Sequence, residues 1–467
     1  MTPSRQELIL ARRKLIKVQL DGCPEGREPT RVSVLVVAPS AEQVGCTITH
    51  DDVIFHLYSD PGKDHLILYN VCSVETLGVR VDKESVQVHP GYPTFLSKGS
   101  CAIEVNGITL VEFEILPRPQ WNIVVPLATK RPAPGSDSPP PKRVKSGESA
   151  YRAIVFSRGQ QLFSADNELV KLAKGDTIHI GSGDKGYRLT RHEAIADQAN
   201  SSVWQAGHSG MPAELIVVKV VKTTGKDEVD VIRATEAWMH EKRIHSSLGK
   251  HSAILRMLGS DARFHSIYTE HVNAESLLCQ RNRVSDHFSG DASDAQKILA
   301  DIASALYFIH RNSIVHNDIK PGNILYSPGR GAVLIDFGLS FWDGNPSSGG
   351  GTPWYLPPEF LRDWKLRGPP SDIWALGVVM LWLLGHIPLP EKTSKWLISS
   401  IHHSADKKAS TTMKQWIDII ENARSKLNQA EEPLSHIIGD LLERNMKDRI
   451  VAATLIARMS REGLLQM

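Results

Sequence analysis

Residues 315–338 hold the densest run of chemically competent side chains in the sequence. They begin Val315-His316-Asn317-Asp318-Ile319-Lys320-Pro321-Gly322-Asn323-Ile324-Leu325, and Asp336-Phe337-Gly338 follows eleven residues after Leu325. Two carboxylates, a carboxamide and an ammonium thus fall within 19 residues of an otherwise apolar stretch. Between Asn323 and Asp336 the chain reads apolar (Ile324, Leu325, Tyr326), then Ser327-Pro328-Gly329-Arg330-Gly331, then apolar again from Ala332 to Ile335. Two short strands around such a turn form a hairpin, which brings Asn323 and Asp336 side by side. A carboxylate beside an amide oxygen, both hard ligands, suits Mg²⁺ carrying a phosphate. Asp318, one turn earlier, faces the same spot and could orient a hydroxyl and accept its proton.

These residues resemble the catalytic loop and metal loop of the eukaryotic protein kinases, H-R-D-x-x-x-x-N followed by D-F-G. The competing reading, a buried turn whose polar groups only satisfy backbone, would make the remaining matches coincidence. The resemblance implies that Asp318 orients the acceptor hydroxyl and takes its proton late. It implies that Lys320, as in the serine/threonine-specific loop, neutralises the transferring phosphoryl group. Asn323 and Asp336 would hold Mg²⁺, and His316 would be structural. Asn317 departs from the pattern, standing where much of the family has an arginine that clamps an activation-segment phosphate; dependence on such a phosphate should be lower here. Gly351-Thr352-Pro353-Trp354-Tyr355-Leu356-Pro357-Pro358-Glu359 resembles the family's substrate-docking stretch. Thr352 would hydrogen-bond Asp318 and Lys320, Glu359 would take Arg449 as a buried cation, and Asp372 would tie down the catalytic-loop backbone.

The elements that must position this chemistry lie on both sides. Lys219 ends an apolar strand, and in the family its counterpart bridges the α- and β-phosphates and pairs with a glutamate on the next helix. The helical stretch Asp230 to Leu248 puts Trp238, Glu241, Ile244 and Leu248 on one stripe, which offers Glu241 to Lys219. Gly181-Ser182-Gly183-Asp184-Lys185-Gly186 fits G-x-G-x-x-G, but Gly181 precedes Lys219 by 38 residues, whereas a glycine loop and two strands occupy roughly 20. It reads as a surface turn. The better-placed lid is Ile195 to Val203, with Val203 covering adenine and Ala196, Gln198 and Ser201 in the three glycine positions. Non-glycine residues forced to positive φ would be strained by roughly 1–2 kcal/mol each, so a looser or differently folded lid is expected. Ile254 to Met257 and Ser266 to Thr269 read as strands. Glu270-His271-Val272 would be the adenine hinge, and Ala292 to Arg311 a helix under the catalytic loop.

A chain of 467 residues, 41% hydrophobic and 23% charged with net charge +2, should fold into two or three domains. Its net charge argues neither for nor against nucleic acid, direct nucleic-acid binding is not expected, and its longest apolar run, Trp374 to Leu384, is about half a membrane span. Five scattered cysteines (Cys23, Cys46, Cys72, Cys101, Cys279) suggest neither disulfides nor zinc and fit a reducing compartment. Residues 1–30 read as an extension without a secretory signal. Residues 31–117 hold six or more short strands with turns such as Asn106-Gly107, implying a sandwich or barrel. This segment faintly resembles a forkhead-associated domain in strand count and in Leu68-x-Asn70-x-x-Ser73, without that family's phosphate-gripping pairs. Residues 118–150 read as a linker, with eight prolines from Pro117 to Pro141. There Lys130-Arg131 and Lys142-Arg143-Val144-Lys145 resemble a bipartite nuclear import signal. Residues 151–187 are a β-prone connector.

The expected architecture is α+β: a two-lobed protein kinase fold (188–272 and 273–467) preceded by an all-β, sandwich-like domain. The implied activity is transfer of the γ-phosphoryl of Mg-ATP to serine or threonine hydroxyls of proteins. The rival is a pseudokinase scaffold, motivated by the missing glycines and by Asn317. The residues implied for catalysis are Asp318, Lys320, Lys219, Glu241 and Thr352. Those implied for nucleotide and metal are Ala196, Val203, Lys219, Glu270, Val272, Asn323 and Asp336. Expected partners are protein substrates and a phosphoprotein or other protein on the β-domain, with no membrane; nucleus and cytoplasm are the expected locations.

Overall fold

The computed structural model describes residues 17–20, 36–37, 45–50, 52–62, 65–82, 84–115, 122–125, 152–154, 167–181, 186–211, 215–223, 227–345, 350–402 and 407–465. Contacts divide the chain into two compact units, residues 1–239 with 258–271, and residues 240–257 with 272–467.

The first unit opens with ten strands: β1 (Lys17–Leu20), β2 (Val36–Val37), β3 (Gly45–His50), β4 (Val53–Ser59), β5 (His65–Asn70), β6 (Leu77–Val81), β7 (Glu84–Val88), β8 (Pro93–Ser97), β9 (Gly99–Val105) and β10 (Ile108–Ile115). They form two sheets, β1-β3-β4-β5-β8 and β2-β10-β9-β6-β7, antiparallel except for the β2–β10 pair. Alternating residues of both sheets, among them Ile48, Phe55, Leu57, Val79, Ile103 and Val111, are sequestered in one apolar core. Asn106-Gly107 turns β9 into β10, with both residues at positive φ. Asn70 is fully buried and its side chain donates to the Glu75 and Val88 carbonyls, so it staples the sandwich from within. β1 lies inside the segment expected to be an uninformative extension. Its Lys17-Val18-Gln19-Leu20 alternates like the strand it pairs with.

A third sheet of the same unit has the order β12-β11-β13-β14-β15-β16-β18-β17. Its strands are β11 (Asn122–Val125), β12 (Arg152–Ile154), β13 (Thr177–Ile180), β14 (Tyr187–Asp197), β15 (Ser201–His208), β16 (Ile216–Val221), β17 (Met257–Asp261) and β18 (Ser266–Glu270). β11 corrects the reading of 118–150 as linker throughout, because the apolar Ile123-Val124-Val125 pairs with β12 and β13 despite the prolines around it. The connector contributes β12, β13 and a one-turn helix, α1 (Glu168–Lys171), to this sheet. α2 (Glu228–Ser247) follows β16, and Asp227 accepts from the Asp230 N–H to cap it. Val231 and Ile232 of α2 are buried against Tyr58 and Ile67 on the outer face of the sandwich, with Tyr69, Phe95 and Met239 at the margin.

The second unit is mainly helical: α3 (Ala292–Arg311), α4 (Pro369–Leu383), α5 (Lys407–Leu427), α6 (Pro433–Leu441) and α7 (Ala452–Arg461). α3 is started by a capping box between Asp291 and Asp294 and buries Ile298, Ile302, Ala305, Leu306 and Ile309 along one stripe. α4 starts on Pro369 and is buried all round, as an almost uniformly apolar helix must be. Short strands β19 (Glu275–Ser276), β20 (Ile314–Val315), β21 (Ile324–Ser327), β22 (Gly331–Leu334) and β23 (Phe341–Trp342) hold the loops between α3 and α4. No described helix is long and apolar enough to cross a membrane.

The α2–sandwich contact gives a stability prediction. Ile232→Asp would place a carboxylate against Tyr58 and Ile67, lowering stability by roughly 3 kcal/mol as an unpaired buried charge. Calorimetry should show a lower Tm for it, and an unchanged Tm for Val229→Asp, since Val229 is 40% exposed.

Candidate active site

The site is built on the β21–β22 hairpin, whose register sets Ile324 opposite Leu334. The Ile335 N–H donates to the Asn323 carbonyl at 3.0 Å, which closes the hairpin base and sets Asp336 beside Asn323. At the other end of the loop Asp372, in the first turn of α4 and 1% exposed, accepts from the N–H groups of His316 and Asn317, each at 2.8 Å. His310 Nε2 lies 3.0 Å from its Oδ2. Burial would push this carboxyl up; the hydrogen bond and charge of His310, with His316 and the Asn317 N–H, outweigh it and hold Asp372 below the usual carboxylate range. His316 is fully buried, and burial pushes its imidazole below the ordinary value. The neutral ring donates from Nε2 to the Ile335 carbonyl at 3.1 Å and accepts the Asp318 N–H at Nδ1, 3.3 Å away. Asn317 and Asp336 are held at φ of 70° and 65°, a left-handed backbone that Asn and Asp tolerate better than other residues with a side chain.

Between these anchors stands Asp318. Its Oδ1 accepts from Thr352 Oγ1 at 2.7 Å, and its Oδ2 accepts from Lys320 Nζ at 2.7 Å and Asn323 Nδ2 at 3.0 Å. Lys320 also donates to Thr352 Oγ1 at 3.0 Å, closing a ring of three side chains. Because the Asn323 NH₂ is committed to Asp318, the amide oxygen is the end left to meet a cation. Asp336 is exposed, and a Cβ at Gly338 would come within 3.3 Å of both Asp336 Oδ1 and Glu241 Oε2. Glu241, 5% exposed on α2, thus has its carboxylate at the same loop. One amide and one exposed carboxylate are a donor set that fits Mg²⁺, which keeps several waters and takes phosphate oxygens.

Phe337 is sandwiched between the rings of His316, centroids 5.1 Å apart, and His245, 5.0 Å apart. His245, four residues after Glu241 on α2, was not singled out in the sequence; its helical spacing is the signal that could have found it. Glu359 and Arg449 pair bidentately at 2.9 Å for each bond, with side chains 3% and 0% exposed. Tyr355 donates to Glu391 at 2.9 Å, and burial pushes both groups up. Pro390-Glu391-Lys392 carried no motif that sequence reasoning used. Ser340 is fully buried and donates to the His316 carbonyl at 3.0 Å.

In the first unit, Ala196, Val203, Lys219 and Ile267 are successive cross-strand partners across β14, β15, β16 and β18, so they share one face of the sheet. Glu270 ends β18 opposite Ile216; Val272 follows it in the second unit. The lid is a tight hairpin: Gln198 N–H donates to the Ser201 carbonyl at 2.8 Å, and Lys222 donates to Asp197 and to the Gln198 carbonyl at 2.6 and 2.9 Å. No residue from 195 to 203 has positive φ, so the expected strain is absent because the turn never adopts the glycine conformation. The strand expected at Ile254 to Met257 lies instead at β17. Ala253 and Leu255 bond Leu334, drawing that run onto β22. Of the decoy glycine motif, Gly181 turns at positive φ after β13, and residues 182–185 lie outside the described residues.

The family model for the protein kinase domain matches residues 194–459, more than half of the 467. The chain belongs to the protein kinase family. It is 29% identical over 247 residues to a "Probable serine/threonine-protein kinase KIN1 homolog" of Enterocytozoon bieneusi, covering 51% of this chain and 40% of that protein. A protein of the same name in Encephalitozoon cuniculi is 27% identical over 287 residues, covering 59% and 50%. "Serine/threonine-protein kinase chk-1" of Caenorhabditis elegans is 30% identical over 177 residues, covering 36% and 34%. The matches thus span half or less of these relatives' lengths.

Two predictions test the packing around the kinase loop. Arg449→Met would leave Glu359 buried without its cation, costing roughly 3–5 kcal/mol, read as an earlier denaturant midpoint. The pH dependence follows from His316: its folded-state value is lowered, so the unfolded chain takes the proton first and stability is lost as pH falls below about 6.5. The Tm should therefore drop between about pH 7 and about pH 5, with a shallower slope in His316→Gln.

Proposed function

We propose that this protein is a serine/threonine protein kinase that moves the γ-phosphoryl group of Mg-ATP to protein hydroxyls. The observation that carries the reading is the ring of Thr352, Lys320 and Asn323 around Asp318. Mg-ATP, when bound, supplies the electrophilic phosphoryl group and the metal's charge. Three donors hold the Asp318 carboxylate aimed, so that it orients the incoming hydroxyl and accepts its proton late in the transfer. Lys320 offsets charge that develops on the phosphoryl oxygens. Thr352 links the docking stretch to both, so the acceptor segment and the base are placed together, which favours short serine and threonine side chains. Asn323 and Asp336 would hold Mg²⁺. In the first unit Ala196, Val203, Lys219 and Glu270, and in the second Glu241 and Val272, are the residues proposed to serve the nucleotide.

A scaffold reading draws on one observation, the lid hairpin without glycine or positive φ at residues 195–203. Against it stands the complete set Lys219, Glu241, Asp318, Lys320, Asn323 and Asp336, for which a scaffold has no use. The sandwich is proposed as a protein-docking module, and Lys130-Arg131 with Lys142-Arg143-Val144-Lys145, outside the described residues, as a nuclear import signal. Alanine at Lys142, Arg143 and Lys145 should move a fluorescent fusion out of the nucleus.

The kinase reading is tested by transfer of labelled γ-phosphate to a generic basic protein. Asp318→Asn should lower the rate by roughly 10²–10⁴-fold, and Thr352→Val by roughly ten- to a hundredfold through lost bonds to charged groups. Equal transfer by wild type and Asp318→Asn would refute the assignment.

A further inference from the structure

Arg367 lies in the loop that leads into α4 and is 8% exposed. Each carboxylate around it already has its own cation or donor: Asp318 has Lys320, Glu359 has Arg449, and Asp372 has His310. Arg367 pairs with none of them. Its Nη2 donates to the Asn317 carbonyl at 3.0 Å and its Nη1 to the Gly350 carbonyl. One guanidinium therefore bridges the catalytic loop and the activation segment (residues 336–359) through backbone oxygens alone. The planar fork suits such a bridge, since its donors are fixed relative to one another. The side chain is braced over the Phe360 ring, 5.6 Å from its centroid. Gly351 has φ of +132°, and a Cβ there would stand 3.1 Å from Arg367 Nη2, so the glycine permits the close approach. Burial lowers the guanidinium to about 10, while Asp372, Asp318 and Glu359 pull the other way, and it remains charged at neutral pH. Asn317 Oδ1 and Arg367 Nε are buried without a hydrogen-bond partner, so this corner is not held by a side-chain pair between them.

We propose that Arg367 is a positioning residue that ties the activation segment to the catalytic loop, so that Thr352 is delivered to Asp318 without a phosphate on the segment. Asn317 Nδ2 reaches the segment only near its start, donating to the Leu339 carbonyl at 2.9 Å; the two Arg367 bonds supply, from the loop before α4, a second bridge at Gly350, two residues from Thr352. This rests on the kinase reading above and adds a residue that lies outside every motif that reading uses.

The test compares full-length wild type, treated with phosphatase until its mass shows no phosphate, with Arg367→Gln and Arg367→Lys. Wild type should keep its activity after dephosphorylation. Arg367→Gln should lose roughly tenfold or more in kcat/KM for the peptide substrate, with the Kd for Mg-ATP within about twofold. Backbone amides from residue 350 to 356 should exchange faster in that variant. Arg367→Lys, which keeps the charge but has one donor head, should fall between them. It also serves as the informative variant if Arg367→Gln loses its cooperative melt. Loss of wild-type activity on dephosphorylation would overturn the proposal, as would variants that match wild type in kcat/KM or in exchange of these amides. If wild type transfers no phosphate at all, the kinase reading fails, and the exchange comparison still decides whether Arg367 tethers the segment.

Discussion

The catalytic loop hangs from one buried carboxylate. Asp372 sits in the first turn of α4, where the helix dipole favours negative charge, and it accepts the N–H groups of His316 and Asn317 while His310 balances it. A buried anion tolerates no rearrangement that strips away its donors, so the backbone at 316–317 is fixed. Asn317 then takes a left-handed turn, His316 is aimed at the Ile335 carbonyl and the Phe337 ring, and Asp318 emerges toward Thr352 and Lys320. The position of Asp318 is thus settled by an aspartate 54 residues later in the chain.

The site is organised as separate, individually balanced charges. Asp318, Glu359 and Asp372 each have dedicated partners: the Glu359–Arg449 pair ties the docking stretch to the loop after α6, and Asp372–His310 ties α4 to α3. Arg367 differs because its contacts are carbonyls, which lets it bind two backbone segments at once. On this view the substitution of Asn317 for arginine is compensated by a cation from another loop.

Much of this was legible in the sequence where pattern and chemistry coincide. The α3 stripe, the β21–β22 hairpin, the strand carrying Lys219 and the partners of Thr352, Glu359 and Asp372 all follow from periodicity, turn residues or a family spacing. Pairing choices were not legible. The run at 254–257 is apolar enough for either a sheet or β22, and only tertiary context sends Ala253 and Leu255 to Leu334. β1 and β11 are four-residue strands embedded in polar or proline-rich text, too short for a period to register. Arg367 stands 50 residues from Asn317, and a side chain bound to carbonyls leaves no partner residue type to look for.

The most direct measurement is phosphoryl transfer by Asp372→Asn alongside its affinity for Mg-ATP. An amide there turns one of the two acceptors facing the loop into a donor, so His316 or Asn317 loses its anchor and Asp318 its aim. The account predicts that kcat falls by roughly ten- to a hundredfold, the value of a hydrogen bond to a charged group, while nucleotide affinity is retained. A variant that turns over as fast as wild type would contradict it.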